Sequence, residues 1–131
     1  MVPLAEPFRI IAHRGASAYA PENTMAAFQR AVDIGASEVE TDVCFTKDGH
    51  LLLLHDNRLD RSTNGSGLPE DYTLDELKRL DAGSWEDPAL SWDRDYSGEK
   101  LITLQELLDR FGDTLTYHVE IKKPMPGLVP T

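Results

Sequence analysis

The sequence predicts an α/β fold, a parallel sheet with its helices packed outside. Two observations lead there. Between Phe8 and Phe45 the pattern runs strand, helix, strand, which is the order of a βαβ unit. The strands also end, one after another, in reactive polar residues. In parallel α/β folds the C-terminal ends of the strands form the active face.

The first strand spans Phe8 to Ala12 and contains Ile10 and Ile11; it ends in His13-Arg14-Gly15. Gly15 permits a sharp turn, and Ala16 to Pro21 make a loop of small residues. Asn23 or Thr24 can cap a helix that begins near Met25. Met25, Phe28, Gln29 and Val32 give its stripe, and Gly35 is a natural stop.

The stretch EVETDVCFTKDGHLLLLHD, Glu38 to Asp56, carries most of the chemistry. Val39, Thr41, Val43 and Phe45 alternate with Glu38, Glu40, Asp42 and Cys44, the period of a strand whose faces differ. Glu40 and Asp42 therefore point the same way, roughly 7 Å apart along the strand. Thr46-Lys47-Asp48-Gly49 is turn chemistry, and Leu51 to Leu54 is a short buried strand ending in His55-Asp56. The connection is too short for a crossover helix, so the two strands form a hairpin. Folding back lays His55 beside Glu40 and Asp42. On their own, the two acids fit an amphipathic edge strand with acids outward. The other strand ends change that balance.

From Asn57 to Lys100 the chain is polar and rich in Gly, Pro, Asp and Ser. Thr73-Leu74-Asp75-Glu76 is a capping box for a helix running to about Leu80. The segment reads as an insertion packed over one end of the core, with Trp85 and Trp92 in a local mini-core. Thr103-Leu104-Gln105-Glu106 opens a further helix with Leu104, Leu107, Leu108 and Phe111 as its stripe and Gly112 as its end. Leu115 to Ile121 is the last strand, with Thr116, His118, Glu120 and Lys122 sharing one face.

Composition sets outer bounds. With 131 residues the chain can hold one domain with a sizeable core. Its formal net charge of −10 opposes non-specific nucleic-acid binding and docking on anionic membranes. Cys44 is the single cysteine and reads as a small core residue; with no internal disulfide, a reducing, cytoplasmic location is expected. No signal-peptide pattern and no membrane-spanning apolar run are read in the sequence. Gly-rich phosphate loops, nucleophile elbows and zinc motifs are not found either.

Three strand ends thus carry His13 and Arg14, then Glu40, Asp42 and His55, then Glu120 and Lys122. Three carboxylates at one point repel unless a cation sits between them, and hard oxygen ligands suit Mg²⁺ or Ca²⁺. With Arg14 and Lys122 such an ion makes a site for a phosphate oxyanion despite the acidic surface. Two histidines flanking a phosphate can serve as general base and general acid. His50 and His118 receive no role, and Glu38, earlier on its strand, is read as structural.

These residues carry a resemblance. AHRGASAYAPENT (Ala12 to Thr24), EVETDV (Glu38 to Val43), TKDGHLLLLHD (Thr46 to Asp56), LDRSTNG (Leu59 to Gly65), LDAG (Leu80 to Gly83) and VEIK (Val119 to Lys122) together resemble the glycerophosphodiester phosphodiesterase family. The resemblance implies a (β/α)₈ TIM-barrel-type fold with an insertion where Asn57 to Lys100 falls. It implies that Glu40, Asp42 and Glu120 ligate a divalent metal, Mg²⁺ or Ca²⁺, and that His13 and His55 are the acid–base pair. Arg14 and Lys122 match phosphate contacts, and Glu22 and Asn23 fall in a motif of supporting residues. The implied reaction is hydrolysis of a small-molecule glycerophosphodiester to glycerol 3-phosphate and an alcohol. A barrel of this type needs roughly 250 residues. The expectation is therefore one incomplete domain over 1–131, about the first half of the barrel, with open sheet edges able to self-associate. A related phospholipase acting on phosphatidylinositol or sphingomyelin, and a catalytically silent half-barrel, are the alternative functions.

Overall fold

The computed structural model describes residues 11–85 and 92–121. Strand β1 (Ile11–His13) leads through a turn into helix α1 (Met25–Asp33), then strand β2 (Glu38–Phe45). β2 pairs parallel with β1, placing His13 opposite Glu40. This is the expected βαβ unit. The part of the predicted first strand before Ile11 lies outside the described residues, and the strand runs one residue beyond Ala12, through His13.

β2 turns back into β3 (Leu51–Leu53), an antiparallel partner with Val43 opposite Leu53, as the turn chemistry predicts. Short helix α2 (Leu74–Leu77) and helix α3 (Leu104–Phe111) follow, then β4 (Thr116–Ile121), which pairs parallel along β2's other edge with Asp42 opposite Glu120. β2 is thus the central strand. The amide of Arg14 donates to the Glu40 carbonyl at 2.6 Å, and that of Leu54 donates to the Asp42 carbonyl at 3.0 Å. Carbonyls two residues apart face the same edge of a strand. The outgoing end of β1 and the returning end of β3 therefore meet side by side along β2.

A strand covered on both faces does not need strict polar alternation. Val39, Val43 and Leu53 face α1 and α3, packed with Phe28, Ala31, Leu107 and Phe111. On the opposite face Cys44, Leu52 and Leu54 pack with Leu59, Leu77, Ala82 and Leu101. The run of leucines alternates between two cores. Fully burying one such side chain contributes about 1.5–3 kcal/mol. Within the Asn57–Lys100 segment, Leu59, Leu77 and Ala82 pack against Cys44 and Leu52 of the sheet and against Leu54. Trp92 packs on Ala20, Ala27 and Tyr96, and Trp85 meets Trp92 edge-on at 5.2 Å.

Two details differ from the sequence reading. α1 buries Ala27, Phe28 and Ala31, while Met25, Gln29 and Val32 stay half-buried. Small residues win that face because the loop lies close: a Cβ on Gly15 would sit 2.7 Å from the backbone of Ala27. α2 stops at Leu77 rather than continuing to Leu80. Both capping boxes form as predicted, with Thr73 and Thr103 each accepting from the amide three residues on.

Candidate active site

The site is assembled across the middle of β2, at Glu40 and Asp42, and at the C-terminal ends of β1 and β4 beside it. Register alone brings Glu40 beside His13, and Asp42 beside Glu120. Glu40, Asp42 and Glu120 each offer a carboxylate oxygen, and these oxygens all lie within 4.8 Å of one another. Asp42 is buried, Glu40 half-buried and Glu120 exposed. Among the described residues the buried Oε1 of Glu40 has no hydrogen-bond partner. A buried acceptor left so is costly unless something else satisfies it.

Could one cation touch all three? Ca²⁺–oxygen distances are roughly 2.3–2.6 Å and Mg²⁺–oxygen distances roughly 2.0–2.1 Å. Oxygens on opposite sides of one ion are thus about 5 Å apart for Ca²⁺ and about 4 Å apart for Mg²⁺. The 4.8 Å limit on the spread lies within the Ca²⁺ span, and Mg²⁺ needs the acids slightly closer together. An all-carboxylate set is also the donor chemistry of a hard ion. The residues fit a divalent cation.

Of the remaining predicted residues, His13 and Arg14 reach this cluster directly. The Nε2 of His13 lies 3.0 Å from Glu40 Oε2. Arg14 lies behind the acids, with Nε 4.0 Å from Asp42 Oδ2 and Nη1 donating to Glu22 Oε1 at 3.4 Å. Its backbone takes a φ of 55°, and its carbonyl accepts from the amide of Asn23, itself at 57°. Left-handed backbone at residues other than glycine is uncommon and tends to mark functional turns. Asn23 Oδ1 accepts from Thr41 Oγ1 at 2.6 Å, which ties the loop to the middle of β2. Asn23 does not cap α1; Thr24 does. Lys122 lies outside the described residues.

His55 follows β3, and its Nδ1 lies 3.1 Å from Asp56 Oδ1. Asp56 and Arg61 were not singled out from the sequence, yet they form the densest ionic contact here. Arg61 Nε donates to Asp56 Oδ2 at 2.7 Å, and its Nη2 donates to Asp56 Oδ1 at 3.1 Å and to Glu22 Oε2 at 2.9 Å. These bonds hold the Asp56 carboxyl below the usual carboxylate range, with the His55 contact helping, and raise the guanidinium of Arg61. The signal was present: Asp56 adjoins His55, and Arg61 lies in the LDRSTNG motif. His118 and Glu38 pair at 2.8 Å, apart from the acid cluster's three oxygens. Burial pushes the Cys44 thiol up to about 12, which keeps it protonated at neutral pH and fits a core residue.

A mostly parallel sheet with outer helices and acids gathered at its C-terminal strand ends is the active-face architecture of a (β/α) barrel. The comparisons agree and narrow it. The model of the glycerophosphoryl diester phosphodiesterase family matches residues 13–129, and the chain belongs to that family. It is 46% identical to a glycerophosphodiester phosphodiesterase of Bacillus subtilis over 131 residues, which are 95% of this chain and 45% of the relative. The crystal structure of a glycerophosphodiester phosphodiesterase from Agrobacterium tumefaciens superposes with a TM-score of 0.77 at 36% identity, over 86% of this chain and 46% of that one. An Oleispira antarctica phosphodiesterase, in complex with the product sn-glycerol-3-phosphate, superposes at 0.78 with 39% identity, over 91% of this chain and 46% of that one. The fold is therefore about half of a (β/α)₈ barrel. The chain spans about half the length of the relatives it matches. Among the described residues no helix is long and apolar enough to cross a membrane.

Proposed function

We propose that this chain carries the catalytic centre of a glycerophosphodiester phosphodiesterase, which hydrolyses a small glycerophosphodiester to glycerol 3-phosphate and an alcohol. One observation carries the reading: three carboxylate oxygens within 4.8 Å of one another on adjacent parallel strands, with His13 against one of them. The names of the B. subtilis relative and the product-bound O. antarctica structure support the substrate class. Residues 1–131 form one incomplete domain, with its insertion at about 57–100. A cytoplasmic location is part of the same reading, supported by the buried, unpaired thiol of Cys44.

Glu40, Asp42 and Glu120 would hold one divalent cation, Mg²⁺ or Ca²⁺, which when bound offsets the charge of the three acids and of the phosphate oxygens. Arg14 and Lys122 bind the remaining phosphate charge. His13 and His55 are the acid–base pair: one imidazole accepts the proton of the attacking group, and the other donates one to the leaving alkoxide. Glu22 holds Arg14, and Asn23 fixes the turn that aims it.

The test measures glycerol 3-phosphate release from glycerophosphocholine, with and without EDTA, on this chain and on one extended to the relatives' length. Release that stops with EDTA and returns with Mg²⁺ or Ca²⁺ is expected. Release indifferent to EDTA in both chains would remove the metal from the mechanism, and no release in either would remove the reaction.

A further inference from the structure

We propose that Arg61, from the insertion, is a positioning residue: it clamps Asp56 so that His55 is held as the Nδ1–H tautomer with Nε2 as its proton-accepting atom. The inference rests on the acid–base reading of His55 given above. It adds a residue that the reading does not contain.

The argument begins with the carboxylate. Both oxygens of Asp56 are engaged by one guanidinium, at 2.7 and 3.1 Å. This is the two-pronged geometry in which arginine recognises an ionised carboxylate. An ionised carboxylate can only accept. The His55 Nδ1 at 3.1 Å from Asp56 Oδ1 must therefore carry the hydrogen, and a neutral ring with Nδ1–H has its lone pair on Nε2. Without a partner on Nδ1, the ring is free to carry its proton on either nitrogen. A base with the proton on the wrong nitrogen cannot accept one, which is how a carboxylate behind an imidazole supports catalysis.

Arg61 is itself fixed from three directions. Its Nη2 also reaches Glu22 Oε2 at 2.9 Å, and the Glu22 side chain is only 8% exposed. Its guanidinium carbon lies 5.1 Å from the Trp85 ring centroid. Glu22 in turn accepts from Arg14 at 3.4 Å. One insertion residue thus joins the His55–Asp56 pair to the loop bearing Arg14. Lysine carries a single nitrogen and cannot span both carboxylates in this way.

The test reads the His55 ring by long-range ¹H–¹⁵N correlation in the labelled 131-residue chain, above the titration of its histidines. His50 and His118 serve as internal controls. The expected wild-type spectrum shows His55 as the Nδ1–H tautomer. Arg61→Gln and Arg61→Lys should both move it towards the Nε2–H form or a mixture, with His118 signals and far-UV circular dichroism unchanged. In a chain that turns over substrate, kcat should fall about 10- to 100-fold, as for other residues that orient a working ligand. A wild-type His55 in the Nε2–H form overturns the inference even if both variants unfold. A folded Arg61→Gln that keeps the wild-type tautomer overturns it as well. Failure of the phosphodiesterase reading looks different: no glycerol 3-phosphate release, with the Nδ1–H tautomer intact and still dependent on Arg61.

Discussion

Removing one oxygen ligand from the acid cluster should be felt by any ion held there. Replacing Glu40 or Glu120 with Gln keeps size and removes charge, so divalent affinity, followed by calorimetric titration of Mg²⁺ or Ca²⁺, should fall on the order of 10-fold or more for each. Wild-type affinity in both variants would dissolve the shared site. Asp56 makes a separate, pH-based prediction. Its carboxyl is held low, first by Arg61 and then by His55. A depressed folded-state value adds stability above the unfolded value of about 3.9 and loses it as pH falls through the folded one. Wild type should exceed Asp56→Asn in urea midpoint near neutrality, and the gap should close below roughly pH 4. A gap that stayed constant down to pH 2 would mean that the ion pair contributes nothing. At this scale period-two alternation made Glu40 and Asp42 legible as one face of a strand and Glu120 as an acid near the end of another. That their oxygens meet follows from the β2–β4 register, which no local pattern encodes. Arg61 was not legible in that way. Its partners lie five and 39 residues away across a turn and an insertion, and no periodicity encodes such a contact.

Elements were legible where local chemistry decides them. Thr103 and Thr73 each accept from the amide of the glutamate three residues on, and that glutamate reaches back to the threonine amide. Each pattern is complete in four residues. Helix length and face were less so: α2 ends three residues early, and α1 buries alanines that carry little hydrophobic signal. Tertiary approach chose them. The caps should also differ in weight. Thr103 is buried and opens a helix whose Leu107 and Phe111 enter the main core. Thr103→Ala should cost about 1–2 kcal/mol, whereas Thr73→Ala, opening a four-residue helix, should cost about 0.5 kcal/mol. Urea denaturation of the two variants decides it, and equal losses would mean that the α2 cap matters as much as that of α3.

At the scale of the molecule, the sheet differs in how well its members are covered. Open sheet edges able to self-associate were expected, and β3, at one end of the strand order, is a place to look for one. It is not open: Leu53 is fully buried, its amide donates to the Ile102 carbonyl at 2.9 Å, and Leu52 bridges to Thr103. β4 is different. Among the described residues it pairs with β2 alone, and its Val119 and Ile121 are 40% and 58% exposed. These two side chains share one face, and a strand with an apolar face and a free edge is a template for another chain. The proposal of self-association therefore narrows to β4. The 131-residue polypeptide should show a mass that rises with concentration by light scattering after size exclusion, over roughly the micromolar to millimolar range in which exposed edges associate. Val119→Lys puts a charge on that face, a common device of natural edge strands, and should restore a monomer while leaving the β2–β4 ladder intact. Association would also place Glu120, on the opposite face of the same strand, beside foreign chain. Turnover should accordingly lie well below the roughly 1–10³ s⁻¹ usual for enzymes. A wild-type chain that stays monomeric throughout, melts cooperatively and turns over in that range would show that β4 needs no partner.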